Sequence, residues 1–297
     1  GPTAHTAIVA RSMDIPAVVG TRNASQVLQQ DDLLIIDGDA GQVWVNPPED
    51  LVLIYRQRQK QALEERAHLD ALKHLPCRTQ DGQAVQLLAN IEYPQDAAAA
   101  LMAGAVGVGL FRSEFLFMGR GGQLPSEEEQ YLAYKQAVEG MQGLPVTIRT
   151  LDIGADKPLD GDRSAHPECD PEDNPALGLR AIRWSLAEPV MFRAQLKALL
   201  RAAQHGVVKI LIPMLCCEEE IVQVFSQLAQ SRAELDAQGV AYGVVQMGAM
   251  IEIPAAALLA DRFLDFFDFL SIGTNDLIQY TLAIDRTDER LMHLYNP

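Results

Sequence analysis

A short apolar run at 269–272 gives way to Gly273 and Thr274, and the chain then presents Asn275, Asp276 and, ten residues further on, Arg286. Asp276 is a hard oxygen ligand, Asn275 both donates and accepts, and Arg286 supplies a fixed cation. An anion held by Arg and Asn, with a carboxylate that brings a divalent ion, is a design for bound phosphate. The competing reading is an Asn-Asp helix cap with a surface arginine. Comparable polar residues follow other apolar runs: Arg112 and Glu114; Arg149, Asp152, Asp156 and Lys157; Arg180; and Glu252 before Pro254. A guanidinium behind an apolar strand is costly unless an anion meets it, and its planar fork suits phosphate or carboxylate. Simple ion pairs, Arg112 with Glu114 or Arg149 with Asp152, would explain individual motifs. Glu252 and Asp276 together suit Mg2+, which takes one or two protein carboxylates and leaves other positions to substrate oxygens and water.

His5 is a separate candidate. It precedes the apolar residues Ala7, Ile8, Ala10 and Met13, which places it in the first turn of a helix. The helix dipole there disfavours imidazolium and favours an anionic group on the ring, so His5 reads as a neutral nucleophile. A histidine beside a helix cap is the plain alternative.

These residues need a scaffold that presents strand ends to one another. From about residue 77, strands are expected at 85–90, 106–111, 146–150, 208–213, 244–253 and 267–272, with helices between them. Ser126 with Glu129 reads as a capping box, and a second helix is expected from 218 to about 237. The fold class expected is therefore α/β, a (β/α)8-type barrel, incomplete, with about six strands; a complete barrel takes about 250 residues and carries its chemistry at the strands' C-terminal ends. An open doubly wound sheet is the alternative. Upstream, 15–20 and 33–38 read as strands, the latter pairing with 41–45 as a hairpin. After Pro47 and Pro48, a charge-laced helix from 49 to about 75 reads as a connector. The domains expected are 1–47, 48–76 and 77–297.

Composition narrows the classes of function. The 297 residues carry a net charge of −16, which disfavours a nucleic-acid backbone as partner. No apolar run reaches the roughly 18 residues of a membrane span, and the N-terminal residues show no secretory pattern. Cys77, Cys169, Cys216 and Cys217 are too few for a disulfide framework, and the adjacent pair has a spacing that suits neither zinc nor a redox couple. A reducing cytoplasm fits.

The runs TAHTAIVARSMDIPAVVG, GLFRSEFLFM, IRTLDIGADK, NPALGLRAIR, GAMIEIPAA and SIGTNDLIQYTLAIDR together resemble enzyme I of the bacterial phosphoenolpyruvate-dependent sugar phosphotransferase system, or a close paralogue. The resemblance implies that His5 is the phosphorylated residue, on part of a swivelling phosphohistidine domain. It implies that Arg112, Arg149 and Arg286 hold the phosphate of phosphoenolpyruvate, with Lys157 close by, Asn275 touching that phosphate and Arg180 as a further member. Glu252 and Asp276 would ligate Mg2+. The phosphoryl group would pass to a histidine phosphocarrier protein, and the intact enzyme would dimerise through its barrel.

The same resemblance places a carrier-binding domain before this stretch, and two further strands with a proton-donating cysteine after it. None of the four cysteines here lies in a matching motif. This polypeptide alone is therefore expected to turn over little. Pyruvate phosphate dikinase or phosphoenolpyruvate synthase, a non-catalytic phosphoenolpyruvate-binding module and a nonfunctional fragment are the other readings.

Overall fold

The computed structural model describes residues 15–21, 24–73, 75–153, 174–286, 288–291 and 293–294. His5, Asp156, Lys157 and Cys169 lie outside them. The chain divides into two compact units, Gly1–Leu75 and Pro76–Pro297.

In the first unit, α1 (Ala24–Val27) precedes an antiparallel hairpin of β1 (Leu34–Asp37) and β2 (Gln42–Val45), with Leu34 opposite Val45 and Asp37 opposite Gln42. Residues 15–20, expected as a strand, are irregular. Pro16 removes one ladder donor, and among the described residues the stretch has no partner strand. The long helix α2 (Glu49–Leu72) starts beyond Pro48, with Glu49 and Asp50 in its first turn and no buried residue. Acidic groups there complement the dipole, and its exposed faces are laced by pairs such as Lys60–Glu64.

The second unit is a curled, all-parallel sheet in sequential order: β3 (Ala89–Ile91), β4 (Val108–Arg112), β5 (Val146–Arg149), β6 (Val208–Ile212), β7 (Val245–Ile251) and β8 (Phe269–Ile272). Each strand pairs with its predecessor in sequence, the order of a barrel wall. A doubly wound sheet would reverse direction at a switch point, and none occurs. The first strand starts later than expected because Val85 is drawn away: its N–H bonds to Cys77 O, 3.0 Å, beside the Arg78–Ala84 bridge.

The covering helices are α3 (Asp96–Met102), α4 (Glu127–Gly140), α5 (Ile182–Ala187), α6 (Pro189–Ala202), α7 (Glu218–Gln238), α8 (Pro254–Leu258), α9 (Ala260–Phe263) and α10 (Thr274–Leu282). Helix α4 opens with the expected capping box: Glu129 N–H bonds to Ser126 Oγ and Ser126 N–H to the Glu129 carboxylate. It buries Gln130, Tyr134, Ala137 and Val138, one face at helical spacing. Helix α6 starts with proline and buries Phe192, Leu196, Leu199 and Leu200, while α7 stops at Gly239, whose φ of 66° suits a glycine cap. Outside the core, Lys197 and Arg201 of α6 pair with Glu127 of α4, and Arg193 pairs with Glu234 of α7.

The core lies between β4–β7 and these helices. Strand β5 is buried at all four positions, as a parallel strand covered on both faces must be. Phe111 is fully buried with its ring edge-on to Tyr134, centroids 5.9 Å apart. Replacing Phe111 with alanine should cost about 3–5 kcal/mol. Urea unfolding followed by circular dichroism reads that loss, and a midpoint equal to the wild type would contradict this assignment of the core.

Candidate functional site at the strand ends

At the C-terminal ends of the strands, buried charges form one alternating chain. Arg149, the last residue of β5, reaches Glu114 just beyond β4 (Nη2 to Oε1, 2.6 Å) and Asp152 (Nη1 to Oδ2, 2.7 Å). Asp152 passes the contact to Arg180 (Oδ1 to Nη2, 3.0 Å), and Arg180 reaches Asp276 (Nη1 to Oδ1, 3.4 Å) and donates to the Tyr280 hydroxyl, 3.2 Å. Arg286 Nη1 closes the chain on the other Asp276 oxygen at 3.2 Å. Glu114, Arg149, Asp152, Arg180 and Asp276 are all buried.

The elements explain this convergence. Parallel strands in register align their ends, so Arg112 and Arg149 are Cα partners on β4 and β5. A short helical turn, Ser113–Leu116, follows β4 and buries Glu114. Helix α10 is capped by Gly273 without any side-chain cap, and Asp276 sits in its first turn. The Asn-Asp cap alternative therefore fails for Asp276, whose carboxylate is committed to two arginines. Asn275 stands exposed beside it. Arg112 pairs with Glu92, 2.9 Å, instead of Glu114, leaving Glu114 to Arg149.

Glu252 is the acid left over. It follows β7, is 1% exposed, and its Oε1 accepts the Met214 N–H at 2.7 Å. Burial, then the Asp152 and Asp276 carboxylates, push its pKa up from 4.5 to about 7, against the pull of the Met214 N–H and Arg149. The pKa values of Arg149 and Arg180 are raised as well, by a different balance: burial opposes their charge, but Asp152 and the other carboxylates outweigh it and hold both firmly protonated. Arg149 Nε, Arg180 Nε and Glu114 Oε2 are buried without a hydrogen-bond partner. The site thus carries more carboxylate than its buried arginines neutralise, which suits a hard divalent cation beside an anion.

Gly273 makes room for Glu252. A Cβ there would lie 2.6 Å from Glu252 Oε2 and 2.8 Å from its Cβ. Behind the ladder, Gln195 of α6 donates to Ser113 Oγ (3.1 Å) and to the Tyr134 hydroxyl (3.0 Å) and accepts the Leu151 N–H (3.0 Å). It thereby joins the segments that follow β4 and β5. Motif reading passed over Gln195 and Tyr280 and took Gly273 only as the break after an apolar run; a lone glutamine amid the apolar face of α6 was the available signal for the first.

Parallel strands whose C-terminal ends converge arginines and carboxylates on one buried locus define an α/β protein of barrel type with a mouth of alternating charge. A family model described as PEP-utilising enzyme, PEP-binding domain, matches residues 66–297, and one described as PEP-utilising enzyme, mobile domain, matches residues 1–41. The phosphoenolpyruvate-protein phosphotransferase of Cupriavidus necator is 59% identical over 298 residues, covering 100% of this chain and 50% of that protein. Proteins of the same name from Bacillus sp. (strain S) and Staphylococcus epidermidis are 47% and 45% identical, again over 100% of this chain and 50% and 51% of their own lengths. The chain belongs to the PEP-utilising enzyme family, and it spans about half the length of the curated relatives it matches. Among the described residues no helix is long and apolar enough to cross a membrane.

The raised pKa of Glu252 has a definite sign for stability. Between about pH 4.5 and 7 the folded chain binds more protons at this carboxyl than the unfolded chain does, so stability falls as pH rises through that window. In chelator-treated protein, Glu252→Gln should remove this decline and leave the variant more stable than wild type above pH 7, with no advantage below pH 4.5. Urea midpoints measured across that range test it, and parallel curves for the two proteins would refute it.

Proposed function

We propose that this chain is the phosphoenolpyruvate-binding and phosphohistidine part of a phosphoenolpyruvate–protein phosphotransferase. The observation that carries the reading is the alternating ladder from Glu114 to Arg286, with Glu252 as an extra buried acid beside it. The names and domain matches of the relatives support it.

In this reading Arg112, Arg149 and Arg286 bind the substrate phosphate, assisted by Asn275 and Lys157, and Arg180 holds Asp152 and Asp276 in place. Glu252 and Asp276 would hold Mg2+, the ion on which PEP-utilising enzymes generally depend. When bound, that ion would neutralise phosphate charge and relieve the crowding of carboxylates around Glu252. The His5 imidazole, neutral, attacks phosphorus in line. The phosphorus–oxygen bond to the enol breaks, its electron pair leaves with the enolate, and protonation of the enolate carbon gives pyruvate. The arginines stabilise the charge spread over the transferring group without changing their own protonation. The phosphoryl group on His5 then goes to a histidine phosphocarrier protein. The segments proposed are 1–47 for the phosphohistidine part, 48–76 for the helical linker and 77–297 for the barrel part. Dimerisation through the barrel and a cytoplasmic location complete the proposal.

Calorimetry with phosphoenolpyruvate should show binding that requires Mg2+. Asp276→Asn should weaken it by about 10–100-fold, while His5→Ala should bind as wild type yet form no phosphohistidine from labelled phosphoenolpyruvate in the full reading frame. Binding indifferent to Mg2+ and to Asp276, or phosphoenolpyruvate formed from pyruvate and ATP, would overturn the proposal.

A further inference from the structure

Beyond β6 the chain runs through Pro213, Met214 and Leu215 to Cys216 and Cys217, and α7 begins immediately afterwards. Spacing alone argued against a metal at two adjacent cysteines. Folding changes that, because the first turn of α7 returns Glu220 to the same spot. One ligand atom from each of Cys216, Cys217 and Glu220 lies within 4.8 Å of the others, and all three residues are half-buried. The carboxylate is pinned there: Cys216 N–H donates to Glu220 Oε2 at 2.7 Å, and a carboxylate has a second oxygen to offer. Cys217 stands at the N-cap in extended conformation (φ −150°, ψ 166°) and its side chain caps none of the helix's N–H groups.

We propose that Cys216, Cys217 and Glu220 form a binding site for a borderline-soft divalent cation of the zinc class. The inference does not depend on the phosphotransferase reading. Two sulfur ligands select against Mg2+ and Ca2+, which prefer oxygen. Three protein ligands leave one tetrahedral position for water or an exogenous ligand. As two sulfur–metal bonds form, each thiol releases its proton to solvent. A divalent ion with two thiolates and one carboxylate carries one net negative charge, and it would lie at the N-terminus of the 21-residue helix α7, where the dipole favours an anion. In the metal-free chain, burial and the Glu220 carboxylate push the Cys216 thiol up to about 11, so the metal must displace a firmly held proton.

The segment that carries the thiols also carries Met214, which has a φ of 60° and donates its N–H to Glu252. The metal site and the strand-end acid are therefore joined through two residues of backbone.

Titration of the reduced protein with Co2+ tests the proposal. One equivalent should produce the near-ultraviolet absorption of thiolate-to-cobalt charge transfer, and Zn2+ should abolish it by competition. Cys216→Ser and Cys217→Ser, which preserve size, should each eliminate the band. Glu220→Gln should weaken affinity by about 10–100-fold, and Cys77→Ser, at an exposed site, should leave the titration unchanged. Far-ultraviolet circular dichroism confirms that each variant is folded. Absence of the band, its survival in the double serine variant, or unaltered affinity in Glu220→Gln would overturn the assignment.

Discussion

The alternation of charge from Glu114 through Arg149, Asp152, Arg180 and Asp276 to Arg286 is the constraint on which the second unit depends. Each of these groups, taken singly into an interior, would lose several kcal/mol of hydration. Together they are tolerable because every interior member of the ladder meets opposite charge on both sides. The same arrangement ties β4, β5 and α10 at their ends, so alignment of the strands and assembly of the polar locus are one event. Hydrophobic replacement of such ladders is often neutral for stability.

Among the described residues, Glu252 is the acid that this ladder leaves without an arginine partner. It is buried and near two other carboxylates, and its pKa rises accordingly. No side chain at Gly273 obstructs it, and it accepts a hydrogen bond from a backbone N–H whose residue, Met214, has positive φ. A crowded acid of this kind is stabilised by a proton or by a cation, and the two compete. Local backbone geometry on either side of it is thus set by the needs of one carboxylate.

Gln195 plays the corresponding role on the apolar side. Its amide spans Ser113, Tyr134 and the Leu151 N–H, in the midst of a helix face otherwise made of Phe192, Leu196 and Leu199. A buried amide is expensive unless its donors and acceptor are met. Here one donated bond and the accepted one fall on the segments that carry Glu114 and Asp152, and the other donated bond fastens Tyr134 of α4. Core packing and site geometry are coupled through it: displacement of α6 would be felt at Asp152.

Strand and helix alternation, the capping box at Ser126 and the arginines and acids behind the apolar runs were all legible in the chain, because they depend on local periodicity and residue chemistry. The family was legible too, from short runs that hold both together. Partner choice was legible only where it is local: Arg149 does pair with Asp152, three residues on, but Arg112 takes Glu92 in place of Glu114 and Arg149 takes Glu114 as well, since neighbours across parallel strands are set by register, which no local pattern encodes. The strand expected at 15–20 failed for the same reason, as a strand requires a ladder partner and propensity does not supply one. Asp276 was foreseen as a ligand, but its burial between two arginines follows from where α10 docks. The amino-acid order determined which groups were available and on which elements they ride. Only the tertiary structure decided which charges share a dry environment, and with it the high pKa of Glu252 and the meeting of Glu220 with two cysteines, because desolvation and Coulomb interaction act through space.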